Sequence, residues 1–126
     1  MKFFMSLART LPDQLVAIIP APRKIVVNLP IIPLGRYIGT MPSTSPHENA
    51  LKYAQDNDLE LYTGFFLNRK DTTLSWLSVQ HSFCVDGSGR VIEPTKMPWE
   101  GQTFYIGRRV PKCEYKNLKF VHTIFK

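Results

Sequence analysis

Cysteine is scarce in this chain: Cys84 and Cys113 are the only two among 126 residues. Two thiols make no disulfide framework, and no Cys-x-x-Cys pair is present to seed a zinc site. This usage predicts a reducing compartment, with no metal and no other cofactor. Acidic residues are also few, 10 against 16 Lys and Arg, which leaves a formal net charge of +6 and a sequence pI near 9.5. No apolar run approaches the roughly 18 residues of a membrane helix, so the expected location is cytoplasmic. The opening Met-Lys-Phe-Phe-Met-Ser-Leu-Ala is interrupted by Arg9 and lacks a convincing small-x-small cleavage site. It is expected to be an ordinary N-terminal segment packed on the domain. Internal repeats and low-complexity tracts are absent.

What is present is a globular composition, 44% hydrophobic with eight Phe, five Tyr and two Trp, enough for one β-rich core. A single domain over residues 1–126 is expected, a Pro-rich segment 1–44 packed on a helix-plus-sheet core 45–126. Seven of the ten prolines fall in the first 46 residues. Proline blocks helix interiors and central strands, so Leu15–Ile19, Ile25–Val27 and Ile31–Ile32 should run on the surface or along a sheet edge. Beyond residue 58, alternation of apolar and polar residues predicts strands at 60–66, 73–85, 90–94, 103–107 and 117–124.

One helix start stands out at Ser45-Pro46-His47-Glu48. Proline suits the first helical position, and Ser45 with Glu48 three residues on reads as a capping box. His47, Ala50, Leu51 and Ala54 then share a face.

The most informative stretch is His81-Ser-Phe-Cys-Val-Asp-Gly-Ser-Gly-Arg-Val-Ile-Glu93-Pro-Thr95. Side chains alternate along a strand, so His81, Phe83 and Val85 share one face, and Val91, Glu93 and Thr95 share one face of the returning strand. A three-residue loop at 87–89, with Gly89 left-handed, pairs 85 with 91, 83 with 93 and 81 with 95. Glu93 then lies diagonally from His81, roughly 7–8 Å away at the backbone, a gap that two long side chains close. A base with its orienting carboxylate is half of a nucleophilic triad. A two- or four-residue loop would put the two on opposite faces.

A histidine opening a strand, a hairpin, then an acid followed by Pro-Thr resembles the His…Asp-Pro-Thr signature of transglutaminase-like and related papain-fold proteins. Helix 46–54 and strand 61–66 precede it in the order the resemblance requires. The likeness extends over residues 40–107 and includes small, often phage-borne proteins with a Cys-x-x-Asn-Ala helix start. It implies an α+β fold, one main helix on an antiparallel sheet of transglutaminase-like, papain-like topology. In those relatives the nucleophilic cysteine stands where this chain has Pro46, and the acid is Glu93 rather than aspartate. The resemblance therefore implies a fold and half a site, and a degenerate member that works by binding.

Other residues keep alternatives open. Ser45 is either the helix cap or a substitute nucleophile. Cys84 lies an odd number of residues from His81, on the opposite face, and is expected in the core. Cys113, among Arg108, Arg109 and Lys112, is either an incidental thiol or a reactive one. His47 is expected to be neutral and packed, with a metal site alongside His81 and Glu93 as the weak alternative; His122 is expected to face solvent. The basic C-terminal end, with Tyr105, Tyr115 and Phe120 interleaved, suits an acidic protein, or nucleic acid through base stacking; it also suits a merely solvated surface. The function expected is binding of a macromolecular partner by a phage or mobile-element accessory protein in the host cytoplasm. Either the cleft at His81, Glu93 and the Ser45–His47 helix end, or the basic face, would be the contact surface. The enzymatic alternative is an amide hydrolase or acyltransferase using Ser45 or Cys113 with His81 and Glu93.

Overall fold

The computed structural model describes residues 9–11, 14–19, 30–69, 76–97 and 101–117. Its described residues are α+β: helix α1 (Pro46–Asn57), a 3₁₀ helix (Lys112–Asn117) and one eight-stranded, mostly antiparallel sheet. The strands are β1 (Arg9–Leu11), β2 (Gln14–Ile19), β3 (Ile31–Ile32), β4 (Leu34–Met41), β5 (Glu60–Arg69), β6 (Trp76–Val85), β7 (Val91–Thr95) and β8 (Gln102–Arg109). The expected strand at 117–124, the run Ile25–Val27 and His122 lie outside the described residues, apart from Asn117 at the end of the 3₁₀ helix.

The sheet closes on itself. β5 lies between β6 and β8, β6 also pairs with β7, and β8 also pairs with β3. β4 pairs in parallel with β7, and only Pro33 separates it from β3. The Pro30 carbonyl accepts from Gly107 N at 3.3 Å, while the Pro33 carbonyl accepts from Val91 N at 2.8 Å. One short extended stretch thus bridges β8 to β7, and the ring β3–β8–β5–β6–β7–β4 forms a small barrel. Proline is tolerated here because these residues contribute carbonyls and need no N–H in return. β4, not expected from the sequence, supplies this closure; β2 pairs with the other end of β6.

Alternation then sorts side chains into two cores. Ile32, Phe66, Val79, Phe83, Val85, Val91, Met97 and Tyr105 pack together inside. Outside, Leu61, Cys84 and Ile92 pack against Ala50 and Ala54 of α1 and Val110 and Tyr115 near the 3₁₀ helix. His47, Ala50 and Ala54 recur at helical spacing and are buried. The small alanines let the helix approach the sheet closely. The helix ends where Asp58 turns left-handed, with φ 55°, and its N–H bonds the Ala54 carbonyl.

Tight curvature needs a place where backbones nearly touch. Gly64 of β5 stands opposite Gly107 of β8. A β-carbon on Gly64 would collide with the Ile106 carbonyl and stand 2.5 Å from Gly107 Cα. No other residue type fits that contact.

Candidate functional site

The hairpin forms in the register that the three-residue loop requires. Cys84 pairs with Ile92 and Val85 with Val91, and Gly89 takes a φ of 81°. Asp86 ties the turn together: its Oδ1 accepts from Ser88 N at 2.9 Å, Ser88 Oγ at 2.8 Å and Arg90 N at 3.0 Å. The Arg90 amide bond and the Ser88 hydroxyl hold its carboxyl below the usual aspartate range.

His81 and Glu93 therefore face the same side, the barrel interior. His81 Nε2 lies 2.6 Å from Glu93 Oε1, and both side chains are 0% exposed. Two further donors converge on the same carboxylate. Tyr105 Oη donates to Oε1 at 2.7 Å, and Thr95 N donates to Oε2 at 3.0 Å. Burial, then the Glu93 charge and this hydrogen bond, push the Tyr105 phenol well above its usual pKa. The rings of Phe66, Phe83 and Tyr105 stand 5.0–6.4 Å from one another or from His81. With Nε2 turned to Glu93, His81 Nδ1 is buried and has no hydrogen-bond partner among the described residues.

The helix end meets the other face of the same strand. His47 Nδ1 lies 2.5 Å from Ser82 Oγ, and Ser82 Oγ donates to Thr63 Oγ1 at 3.0 Å. The serine's one proton is then committed, so His47 Nδ1 is the donor. Ser82 follows His81 on β6, so the two histidines sit on opposite sides of the sheet. His47, packed as expected, cannot join His81 and Glu93 around one metal; among the described residues no group of three or more His, Cys, Asp or Glu is placed to hold one.

Three expectations are corrected. Ser45 precedes α1, with Pro46 at its first turn, but makes no side-chain cap bond. Its ψ of 61° departs from the extended conformation of a usual cap, and only its carbonyl is engaged, by Asn49 N at 2.9 Å. The polar side chain that anchors the helix start is Asn49, whose Nδ2 donates to the Pro42 carbonyl at 2.6 Å and to Thr95 Oγ1 at 3.1 Å. Tyr105 and Tyr115 are buried rather than available for stacking on bases. His81 and Glu93 line no open cleft, because the barrel encloses them.

The structure does not bring the candidate nucleophiles to His81. Neither Ser45 Oγ nor Cys113 Sγ makes a hydrogen bond among the described residues, and Cys113 is exposed on the 3₁₀ helix. Cys84 is buried on the helix side, donating to the Ala50 carbonyl at 3.3 Å. Burial and the Glu93 charge push its thiol up to about 12. Of the basic residues, Arg109 and Lys112 are exposed and Arg108 is half-buried. Among the described residues no helix is long and apolar enough to cross a membrane.

Tyr105 and Thr95 complete the network, and sequence reasoning missed their part in it. The alternation Thr103, Tyr105, Gly107 along β8 is the signal that could have placed Tyr105 inside. A scan of protein-family models and searches of curated proteins and of solved structures find no match to this chain.

Proposed function

We propose that this protein is a degenerate transglutaminase-like domain that acts by binding an acidic protein, through the basic surface where β8 runs into the 3₁₀ helix. The observation that carries the reading is the sealed His81–Glu93 pair. Both are fully buried, and the hydroxyl that reaches them, from Tyr105, has its phenol pushed towards the protonated form. A group held that way is a hydrogen-bond donor to Glu93, not an attacking oxygen. With Pro46 where the family it resembles carries cysteine, no nucleophile among the described residues reaches the pair, which favours binding over chemistry.

The basic surface is the better of the two contact candidates. Arg109, Lys112 and Lys116 are exposed there. Arg108 Nη1 donates to the Arg109 carbonyl at 3.2 Å. Glu60 Oε1 lies 3.9 Å from Arg109 Nη1, an exposed pair of little strength. Such a face attracts acidic surfaces at long range. An accessory protein of a phage or mobile element, acting on a host factor in the host cytoplasm, fits the size and the resemblance.

The test is binding to an acidic host protein recovered by affinity capture and then purified. Affinity should fall steeply between low and high salt, and Arg108→Ala/Arg109→Ala/Lys112→Ala should weaken it with the fold intact. Binding that ignores both salt and the triple replacement would remove the basic face from the account; preferential binding of nucleic acid would reassign the partner.

One observation favours a second reading. The 2.6 Å contact between His81 and Glu93 is the spacing of a base and its orienter. An amide hydrolase or acyltransferase using Ser45 or Cys113 would need the barrel to open so that the nucleophile comes within about 3.5 Å of His81.

A further inference from the structure

We infer that the cleft between α1 and the β4–β7 pair is an anion site for the phosphate group of a small organic molecule. The site begins with an irregularity in a parallel ladder. Leu34 stands opposite Val91, but Arg36 stands opposite Ile92. Two residues of β4 advance against one of β7, so Gly35 is the extra residue of a β-bulge. Without the bulge, Arg36 would stand opposite Glu93 and face the barrel interior. With it, Arg36 shares the outer face with Ile92, the face covered by α1.

Arg90 reaches the same place from the turn. It precedes Val91, whose side chain points inward, so alternation sends Arg90 outward. A β-carbon at Gly35 would stand 2.8 Å from Arg90 Cβ, so the glycine at the bulge lets the Arg90 stem lie against β4. The two arginines thus enter one cleft of about 480 Å³, together with Tyr53, Asn57, Leu59 and Ile92. That volume is in the range of small-ligand sites, about 300–1,000 Å³.

The charge balance favours an anion. Neither the Arg36 nor the Arg90 guanidinium makes a hydrogen bond or ion pair with another side chain among the described residues. The acid lining the cleft, Asp86, spends its Oδ1 on the turn and offsets one positive charge. One net positive charge remains, with two planar forks that match phosphate geometry. Tyr53 and Leu59 are half-buried against the outer core, and Ile92 belongs to it. They form an apolar wall beside the arginines, which suits an organic group carrying the phosphate and adds nothing for a bare ion.

The test is an amide NMR titration of the full chain with phenyl phosphate, inorganic phosphate and phenol. Saturable shifts should centre on Gly35, Arg36, Arg90 and Ile92. Phenyl phosphate should bind several-fold tighter than inorganic phosphate, and phenol should not saturate. Arg36→Gln and Arg90→Gln should each weaken phenyl phosphate about tenfold. Arg108→Gln/Arg109→Gln, on the other basic surface, should leave it unchanged. Arg36, Arg90 and Arg109 are exposed and Arg108 is half-buried, and the dispersion of each variant's spectrum reports that the fold persists. The inference is overturned if neither phosphate gives saturable shifts at these amides. It is equally overturned if phenol binds as well as phenyl phosphate, if inorganic phosphate binds as tightly, or if the Arg108/Arg109 variant loses as much affinity as the cleft variants.

Discussion

Replacing Glu93 with methionine should be far more damaging than replacing the whole polar cluster. The carboxylate collects His81 Nε2, Tyr105 Oη and Thr95 N inside a closed barrel. Glu93→Met alone strands all three donors where no bulk water reaches. Each stranded donor costs about 1–3 kcal/mol. We therefore expect a loss of about 4 kcal/mol, a large share of the roughly 5–15 kcal/mol that holds a domain of this size. At about 4 °C per kcal/mol, the Tm should fall by about 16 °C. Adding His81→Leu and Tyr105→Phe removes two of the stranded donors and leaves one, Thr95 N–H. That triple variant should regain at least about 2 kcal/mol over the single one, since apolar replacement of a buried polar cluster is often close to neutral. Urea unfolding followed by circular dichroism gives both values, with unchanged m-values showing that the comparison is sound. A Glu93→Met cost below about 1 kcal/mol, or a triple variant no more stable than the single one, would refute the idea that this network is a satisfied structural core.

Further outcomes follow from the same packing. Gly64→Ala should cost at least about 2–3 kcal/mol, because its β-carbon meets backbone of Ile106 and Gly107 rather than a movable side chain; Gly87→Ala, with open space around it, should be nearly silent in the same urea unfolding. Alkaline pH should unfold the protein in a defined window. The Cys84 thiol is raised from 9.0 to about 12 in the folded state, so its contribution is fully present below pH 9 and is lost as pH rises towards about 12. The full difference is worth about 4 kcal/mol. Tyr105, raised from its ordinary 10.0, acts with the same sign above pH 10. Urea midpoints measured from pH 7 to pH 11 should fall above pH 9, and fall less steeply in Cys84→Ala. Asn49→Ala, which removes the anchors to the Pro42 carbonyl and Thr95 Oγ1, should destabilise by about 1–2 kcal/mol in the same measurement.

Much of the hairpin was legible because its determinants are local. The Asp86-Gly-Ser-Gly89 turn needs one left-handed residue, a glycine stands there, and alternation then fixes which side chains share a face. The helix was legible for the same reason, from Pro46 and the spacing of His47, Ala50 and Ala54. What stayed hidden depends on partners distant in sequence. The proline-rich first 46 residues read as surface or sheet-edge segments, but nothing local shows that Pro30 and Pro33 offer the carbonyls that let one stretch join two edges of the sheet. The bulge at Gly35 exists only in pairing with β7, so nothing local announces that Arg36 turns outward. Ser45 has the residue type and spacing of a capping box, but its ψ of 61° is not the extended conformation of a usual cap and its side chain makes no cap bond. Tyr105 looked like a surface aromatic because it precedes a basic run; its place on β8 opposite Phe66 puts it beside Glu93 instead.

The most direct test of the central claim, that the His81–Glu93 pair is a structural clasp and the protein a binder, is covalent. Folded protein is incubated with a fluorophosphonate and, separately, with an electrophilic amide, and labelled sites are mapped by mass spectrometry in wild type and His81→Phe. No adduct is expected on Ser45, and any labelling of the exposed Cys113 should proceed at a rate that His81→Phe leaves unchanged. Stoichiometric labelling of Ser45 or Cys113 that disappears in folded His81→Phe would contradict that claim and make His81 a working base.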